Sequence, residues 1–241
     1  MWQEVAGTMS QRGWECWALD LRGRPGSRSV ATMGTIQLEE YGEDVATAAQ
    51  ALWAPPVVCG HGLGALLALL TAAHIKPRAL ILLAPLLPRT WSARIRPPLP
   101  LASLSAVPAL LWSRPLRPPR WTIARDFLFN TLPPVLQTRL HEQLRPDSGA
   151  VARALTRGQV PAPSTELGCP LLIVRGSEDR MSPPAAIDWL KTRFQASSRE
   201  YRQQGHWLTI SGQASQLVAD LHRWLIQSLG ESLLMPQEED E

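Results

Sequence analysis

Asp179 in RGSEDRMSP and His206 in QQGHWL each follow a short, strand-like run. A carboxylate followed by an imidazole suits one task. The carboxylate holds the ring in its useful tautomer, and the ring takes a proton from an attacking group. An attacking group on a turn between a strand and a helix would complete the set. Such a turn is present as Gly60-His61-Gly62-Leu63-Gly64, within VVCGHGLGALLAL. Its central residue, Gly62, has no side chain and so no atom with which to attack.

The elements that must position these residues follow from apolar periodicity. Residues 1–12 suit an amphipathic helix with Trp2, Val5 and Met9 on one side. WECWALDLRG reads as a strand entering a Gly-rich turn, and residues 38–53 as a helix ended by Pro55-Pro56. A strand at 57–59, the glycine turn and a helix to about His74 come next. The wholly apolar ALILLAP is expected to be a strand covered on both faces.

Beyond Pro85 the pattern stops. Residues 85–134 hold 11 of the 22 prolines, with Trp91, Trp112 and Trp121, which predicts short helices and turns there. FLFNTLPPVLQTRLHEQL and SGAVARALTRG are more helical. Strand PLLIVRG, a helix around AAIDWLKTRF, strand SREYRQQ and an amphipathic helix from Ala214 to about Leu229 complete the chain. This alternation predicts an α/β fold with a mostly parallel sheet flanked by helices. Its core spans 1–87 and 164–230, with an insertion at 88–163 and a flexible acidic tail at 231–241. In such sheets ligands lie beyond the carboxyl ends of the strands, where the glycine turn, Asp179 and His206 fall.

Composition narrows the function classes. The chain has 241 residues, 45% of them hydrophobic, enough for one sizeable core, and its formal charge of +3 gives no reason to expect nucleic acid. The charge is unevenly placed: no Asp or Glu occurs between Val45 and Arg125, while seven arginines lie between Arg89 and Arg125. Cys16, Cys59 and Cys169 are widely spaced beside strand-like runs and read as buried thiols, without a disulfide frame or a metal site. No signal peptide is apparent, and the apolar run at 57–73 is broken by His61 and three glycines, so a cytoplasmic location with no transmembrane segment is expected.

Four stretches in order, ALDLRGRPGS, VVCGHGLGA, PLLIVRGSEDRMSP and GHWL, resemble the α/β-hydrolase superfamily. Asp20, Arg22, Gly23, Gly26 and Ser27 follow the first of its motifs with one extra residue. The second corresponds to Gly-x-Ser-x-Gly. The resemblance implies an acid at Asp179, a base at His206, a nucleophile position at Gly62 and one oxyanion-hole amide at Leu63. It implies that residues 88–163 form a helical cap, where Trp91, Trp112 and Trp121 would either line a substrate pocket together with Trp207 or pack within the cap itself. It implies no cofactor and no metal. His61 flanks the nucleophile position and is expected to pack or to hydrogen-bond. Cys59, three residues earlier and inside the strand, is badly placed as a substitute nucleophile.

Two departures bear on activity. Gly62 keeps the turn and removes the hydroxyl, which preserves the fold and abolishes covalent catalysis. The strand ending in His-Gly that supplies a second oxyanion amide in relatives is not found ahead of the first helix. That predicts a truncated or alternatively started form, in which residues 17–21 slide against 57–59 or the sheet shrinks to about five strands. The expected function is therefore that of a pseudoenzyme of this family, a binding or interaction module. Alternatives are an active hydrolase of small ester or acyl substrates using Asp179 and His206, and lipid-surface binding through the basic cap. The partners open to it are a small ester-like or apolar ligand and, unless the cap arginines form a simple solvated surface, an anionic substrate, partner or lipid surface there.

Overall fold

The structure, a computed structural model, describes residues 2–91, 95, 106–157, 160–210 and 214–230. In chain order its elements are α1 (Gln3–Ser10), α2 (Leu38–Gln50), β1 (Val57–His61), α3 (Leu63–Ile75), β2 (Ala79–Leu83) and α4 (Val107–Trp112). They continue with α5 (Pro134–Gln143), α6 (Gly149–Arg157), β3 (Leu171–Gly176), α7 (Pro184–Phe194), β4 (Ser197–Tyr201) and α8 (Ala214–Leu229). The chain divides into two compact units, Leu19–Leu208 and the two ends, Met1–Ala18 with Thr209–Glu241.

The larger unit is an α/β fold. Its sheet has four strands in the order β1-β2-β3-β4, and all three pairings are parallel. Every residue of β2 and β3 is buried, which explains the apolar runs ALILL and LLIV; Arg175, buried at the end of β3, pairs with Glu200 of β4 at 3.1 Å. α3 is apolar on all sides because it is enclosed on all sides: Ala65, Leu66, Leu67, Ala68, Leu69 and Ala72 are all buried. α2 packs on it through Leu38 and Tyr41, and the Tyr41 hydroxyl donates to Asp147 Oδ1 at 3.0 Å.

The strand expected at 17–21 does not form. Trp17 and Leu19 are 74% and 44% exposed, and β1 pairs with β2 alone, so the expected fifth strand is absent among the described residues. A strand needs a ladder, and the chain is held here by a side chain instead. The Arg22 amide donates to Asp44 Oδ2 at 2.9 Å, and its guanidinium reaches both Asp44 oxygens, Glu40 Oε1 and Glu43 Oε2, all on α2. These bonds hold the Asp-x-Arg-Gly stretch against a helix, and its backbone takes no place in the sheet.

In the smaller unit α1 packs on α8 through Val5, Met9, Leu217, Leu221 and Leu225, with the Trp14 indole N–H donating to His222 Nδ1 at 2.9 Å. Cys16 is exposed, against the expectation of a buried thiol, because the run around it is not a strand; Cys59 and Cys169 are half-buried. Among the described residues no helix is long and apolar enough to cross a membrane. The acidic tail at 231–241 lies outside the described residues, as does much of the proline-rich start of the insertion.

Candidate active site

The turn after β1 is built around a backbone shape that few residues adopt. Gly62 has φ 57° and ψ −115°, and α3 starts at the next residue. A non-glycine residue there stores on the order of 1–3 kcal/mol of strain, whereas glycine takes positive φ freely. The turn is fixed by the Gly62 amide, which donates to Leu83 O at 3.0 Å, and by the Leu86 amide, which donates to Gly62 O at 3.1 Å. A Cβ placed on Gly62 would stand 3.5 Å from His206 Nε2.

Asp179 follows β3 on a loop locked from several sides. Its Oδ1 accepts the Met181 and Ser182 amides at 2.8 and 3.1 Å, and both carboxylate oxygens lie 3.2 Å from His206 Nδ1. The Ser182 hydroxyl donates to Pro85 O at the end of β2, and the Glu178 amide to Gln204 O beyond β4. Burial pushes the Asp179 carboxyl up, but the adjacent imidazole and the two amides outweigh it, so the net displacement is below the usual carboxylate range. The ionised Asp179 takes the Nδ1 edge of His206 and so turns Nε2 toward Gly62.

His206 is 5% exposed and is held by its neighbours' backbone and side chains. The Gly205 amide donates to Thr131 Oγ1 at 2.9 Å, and Asn130 Nδ2 donates to Glu178 O at 2.9 Å. Residue 205 must be glycine because a Cβ there would run into the side chains of Asn130 and Thr131. From the other side the His61 Nε2–H donates to His206 O at 2.8 Å, with ring centroids 4.6 Å apart. Burial and the nearby His206 lower the His61 pKa to about 3, so His61 is a neutral brace.

This placement has a pH signature. Protonation of His61 is disfavoured in the fold down to about pH 3 but occurs near 6.5 in the unfolded chain. Stability is therefore full above about pH 6.5 and falls as pH is lowered below it. His61→Gln, which keeps a donor for His206 O, is expected to flatten the rise of the denaturation midpoint between about pH 5 and pH 6.5. An unchanged slope would show that another group titrates there.

The structure brings Gly62, Leu63, Asp179 and His206 together, with Trp207 one layer away against His61 and Phe129. The Leu63 and Gly64 amides open α3, where the first turn has no intrahelical acceptor. The other three tryptophans lie elsewhere. Trp91 is buried, stacks on Trp189 at 5.1 Å and donates to Val160 O; Trp121 meets His141 edge-on; Trp112 is 66% exposed. Among the described residues none of these three has a ring contact with His61, His206 or Trp207. Reading the sequence missed Asn130, Thr131 and Ser182, whose roles are long-range contacts with no local signature.

A glycine turn opening a helix, set against a buried Asp–His pair at the carboxyl ends of a parallel sheet, is hydrolase architecture. A sequence profile of the alpha/beta hydrolase family matches residues 1–221, and the chain belongs to that family. Among solved structures it is similar to a monoacylglycerol lipase from Paleococcus ferrophilus, with TM-score 0.74, 16% identity, and coverage of 94% of this chain and 89% of that one. It is also similar to a methylesterase from Arabidopsis, with TM-score 0.65, 19% identity, and coverage of 93% and 92%. A third likeness is to a histidine variant of tomato methylketone synthase I complexed with β-ketoheptanoate, with TM-score 0.66, 18% identity, and coverage of 94% and 92%. At these identities the likeness is one of fold. No curated protein sequence matches the chain.

Proposed function

We propose that this chain is a non-acylating member of its family, a binding module for a small ester-type or acyl-type ligand held at Gly62, Leu63, Asp179 and His206, with residues 88–163 as its cap. The observation that carries this reading is the geometry at residue 62. The backbone has the strained shape that serves a nucleophile and His206 Nε2 faces it, but the position bears no atom to be deprotonated. The lipase and esterase names of the similar folds support the ligand class. Ester turnover in such a site has only water, deprotonated by His206, as its nucleophile. A serine-reactive fluorophosphonate is expected to leave the wild-type chain unlabelled, as read by intact-protein mass; stoichiometric labelling would overturn the reading.

One surface supports a second role. Arg114, Arg117 and Arg120 are exposed and have no ion pair among the described residues, and Trp112, Leu111 and Trp121 are exposed in the same stretch. Cationic guanidinium groups with exposed indoles suit an anionic lipid surface. Co-sedimentation with vesicles containing phosphatidylserine is expected to exceed that with phosphatidylcholine alone and to fall with added salt. Equal binding to both vesicles, or none, would exclude this role.

A further inference from the structure

We propose that one turn of the insertion, residues 124–132, holds Asp179 and His206 in alignment, with Asn130 and Thr131 as positioning residues of the pair. The proposal rests on the reading that Asp179 and His206 are the working groups of the site, and it concerns what governs them.

The turn has an uncommon build. Ala124–Leu128 is π-helical, closed by the Phe129 amide on Ala124 O at 3.0 Å, and the Leu132 amide then folds back onto Phe129 O at 2.9 Å. Such wide turns are rare and recur at functional sites. Four contacts leave this one, and they reach the sequence neighbours of the acid and of the base. Arg180 Nη1 donates to Asp126 O at 3.0 Å and Asn130 Nδ2 donates to Glu178 O at 2.9 Å, so both residues that flank Asp179 are fastened. The Gly205 amide donates to Thr131 Oγ1 at 2.9 Å, and the buried Phe129 ring lies 5.8 Å from the Trp207 ring, so both residues that flank His206 are held as well.

Other ties do less. His61 holds the base alone, and Ser182 holds the acid alone. The direct links between the two loops run from the Gln203 amide to Ser177 Oγ and from the Glu178 amide to Gln204 O, and they stop short of both Asp179 and His206. β4 pairs with β3 only, so the loop that carries His206 leaves the sheet without a further strand beside it. The insertion supplies the missing support. Its turn is braced in return by α5, whose Gln137 Nε2 donates to Phe129 O at 3.1 Å and to Leu132 O at 2.8 Å. Proton transfer is sensitive to such placement, since a displacement of about 1 Å can cost on the order of 10²-fold in rate. A movement of the insertion therefore reaches the acid–base pair through Asn130 and Thr131.

The pair can be read on protein carrying isotope-labelled histidine, where Asp179→Asn is expected to shift the His206 Nδ1 resonance. Thr131→Val, which removes the acceptor of the Gly205 amide, is expected to move that resonance part of the way in the same direction. It is also expected to speed exchange of the Gly205 amide about tenfold, the worth of one hydrogen bond. Thr131→Ser keeps the hydroxyl and is expected to restore both readings. A role in stability alone would lower the denaturation midpoint of Thr131→Val and leave the resonance at its wild-type position, which would overturn the proposal. If Thr131→Val does not fold, Asn130→Ala, which removes the bond to Glu178 O, carries the same expectation and the same contrary result. A His206 Nδ1 resonance unmoved by Asp179→Asn would instead overturn the underlying reading, so the two failures are distinguishable.

Discussion

Gly62→Ser is expected to turn this chain into a target for fluorophosphonates and to raise turnover of a chromogenic short-chain ester on the order of 10²-fold over wild type, within the range general-base assistance supplies. The room exists: a Cβ at this position makes ordinary contact with His206 Nε2 at 3.5 Å, and an oxygen attached to it reaches hydrogen-bond distance. The ring is already oriented by Asp179 and His61, and the Leu63 amide stands at the head of α3, next to the new hydroxyl. The substitution also has a cost. Serine at φ 57° loses on the order of 1–3 kcal/mol relative to glycine, so the variant should melt earlier than wild type. Gly62→Ser with His206→Ala should lose the labelling. A folded Gly62→Ser protein that stays unlabelled would show that more than the hydroxyl is missing.

Arg22→Ala is expected to cost about 3 kcal/mol of unfolding free energy, read from denaturant midpoints at neutral pH. Arg22 is 5% exposed and is surrounded by Glu40, Glu43 and Asp44. Most of the loss arises at Asp44, whose side chain is 12% exposed and takes bonds from the Arg22 amide and guanidinium. Glu40 and Glu43 are 41% and 67% exposed and add little, since solvent screens them. The pH dependence has a definite sign. Burial raises the Asp44 carboxyl but the bonds from Arg22 outweigh it, so its folded pKa is depressed. The stabilisation is present above the ordinary carboxylate range and is lost as pH falls through the depressed value. Arg22→Ala should therefore lower stability at pH 7 and make the remaining acid loss shallower.

Much of this molecule is legible along the chain because its central elements are unambiguous. LLIV and ALILL are apolar at every position because both faces are covered, and the glycine turn between VVC and LGALLALL marks a strand passing into a buried helix. The order of Gly62, Asp179 and His206 is readable for the same reason: each follows a strand end. WECWALDLRG misleads, since its alternation is that of a strand. Forming one needs a neighbouring ladder, and the bonds from Arg22 to α2 hold this stretch without one. The braces around His206 are invisible in sequence. Thr131 and Asn130 lie far from residue 205 along the chain, and the His61 bond runs to a main-chain carbonyl that any residue would offer.

The position of β1 at the rim of the described sheet has a dynamic consequence. A strand with neighbours on both flanks opens only when two ladders break together, but β1 is secured by the one it shares with β2. The turn at Gly62 continues that ladder through Leu83 and Leu86. His206 follows β4, which likewise holds a single ladder, the one it shares with β3. Asp179, after the inner strand β3, is tied to the end of β2 through Ser182 and Pro85. The site is therefore strung between the two rims of the described sheet, and the His61 bond to His206 O ties one rim to the other. A fraying of either edge is expected to reach the imidazole.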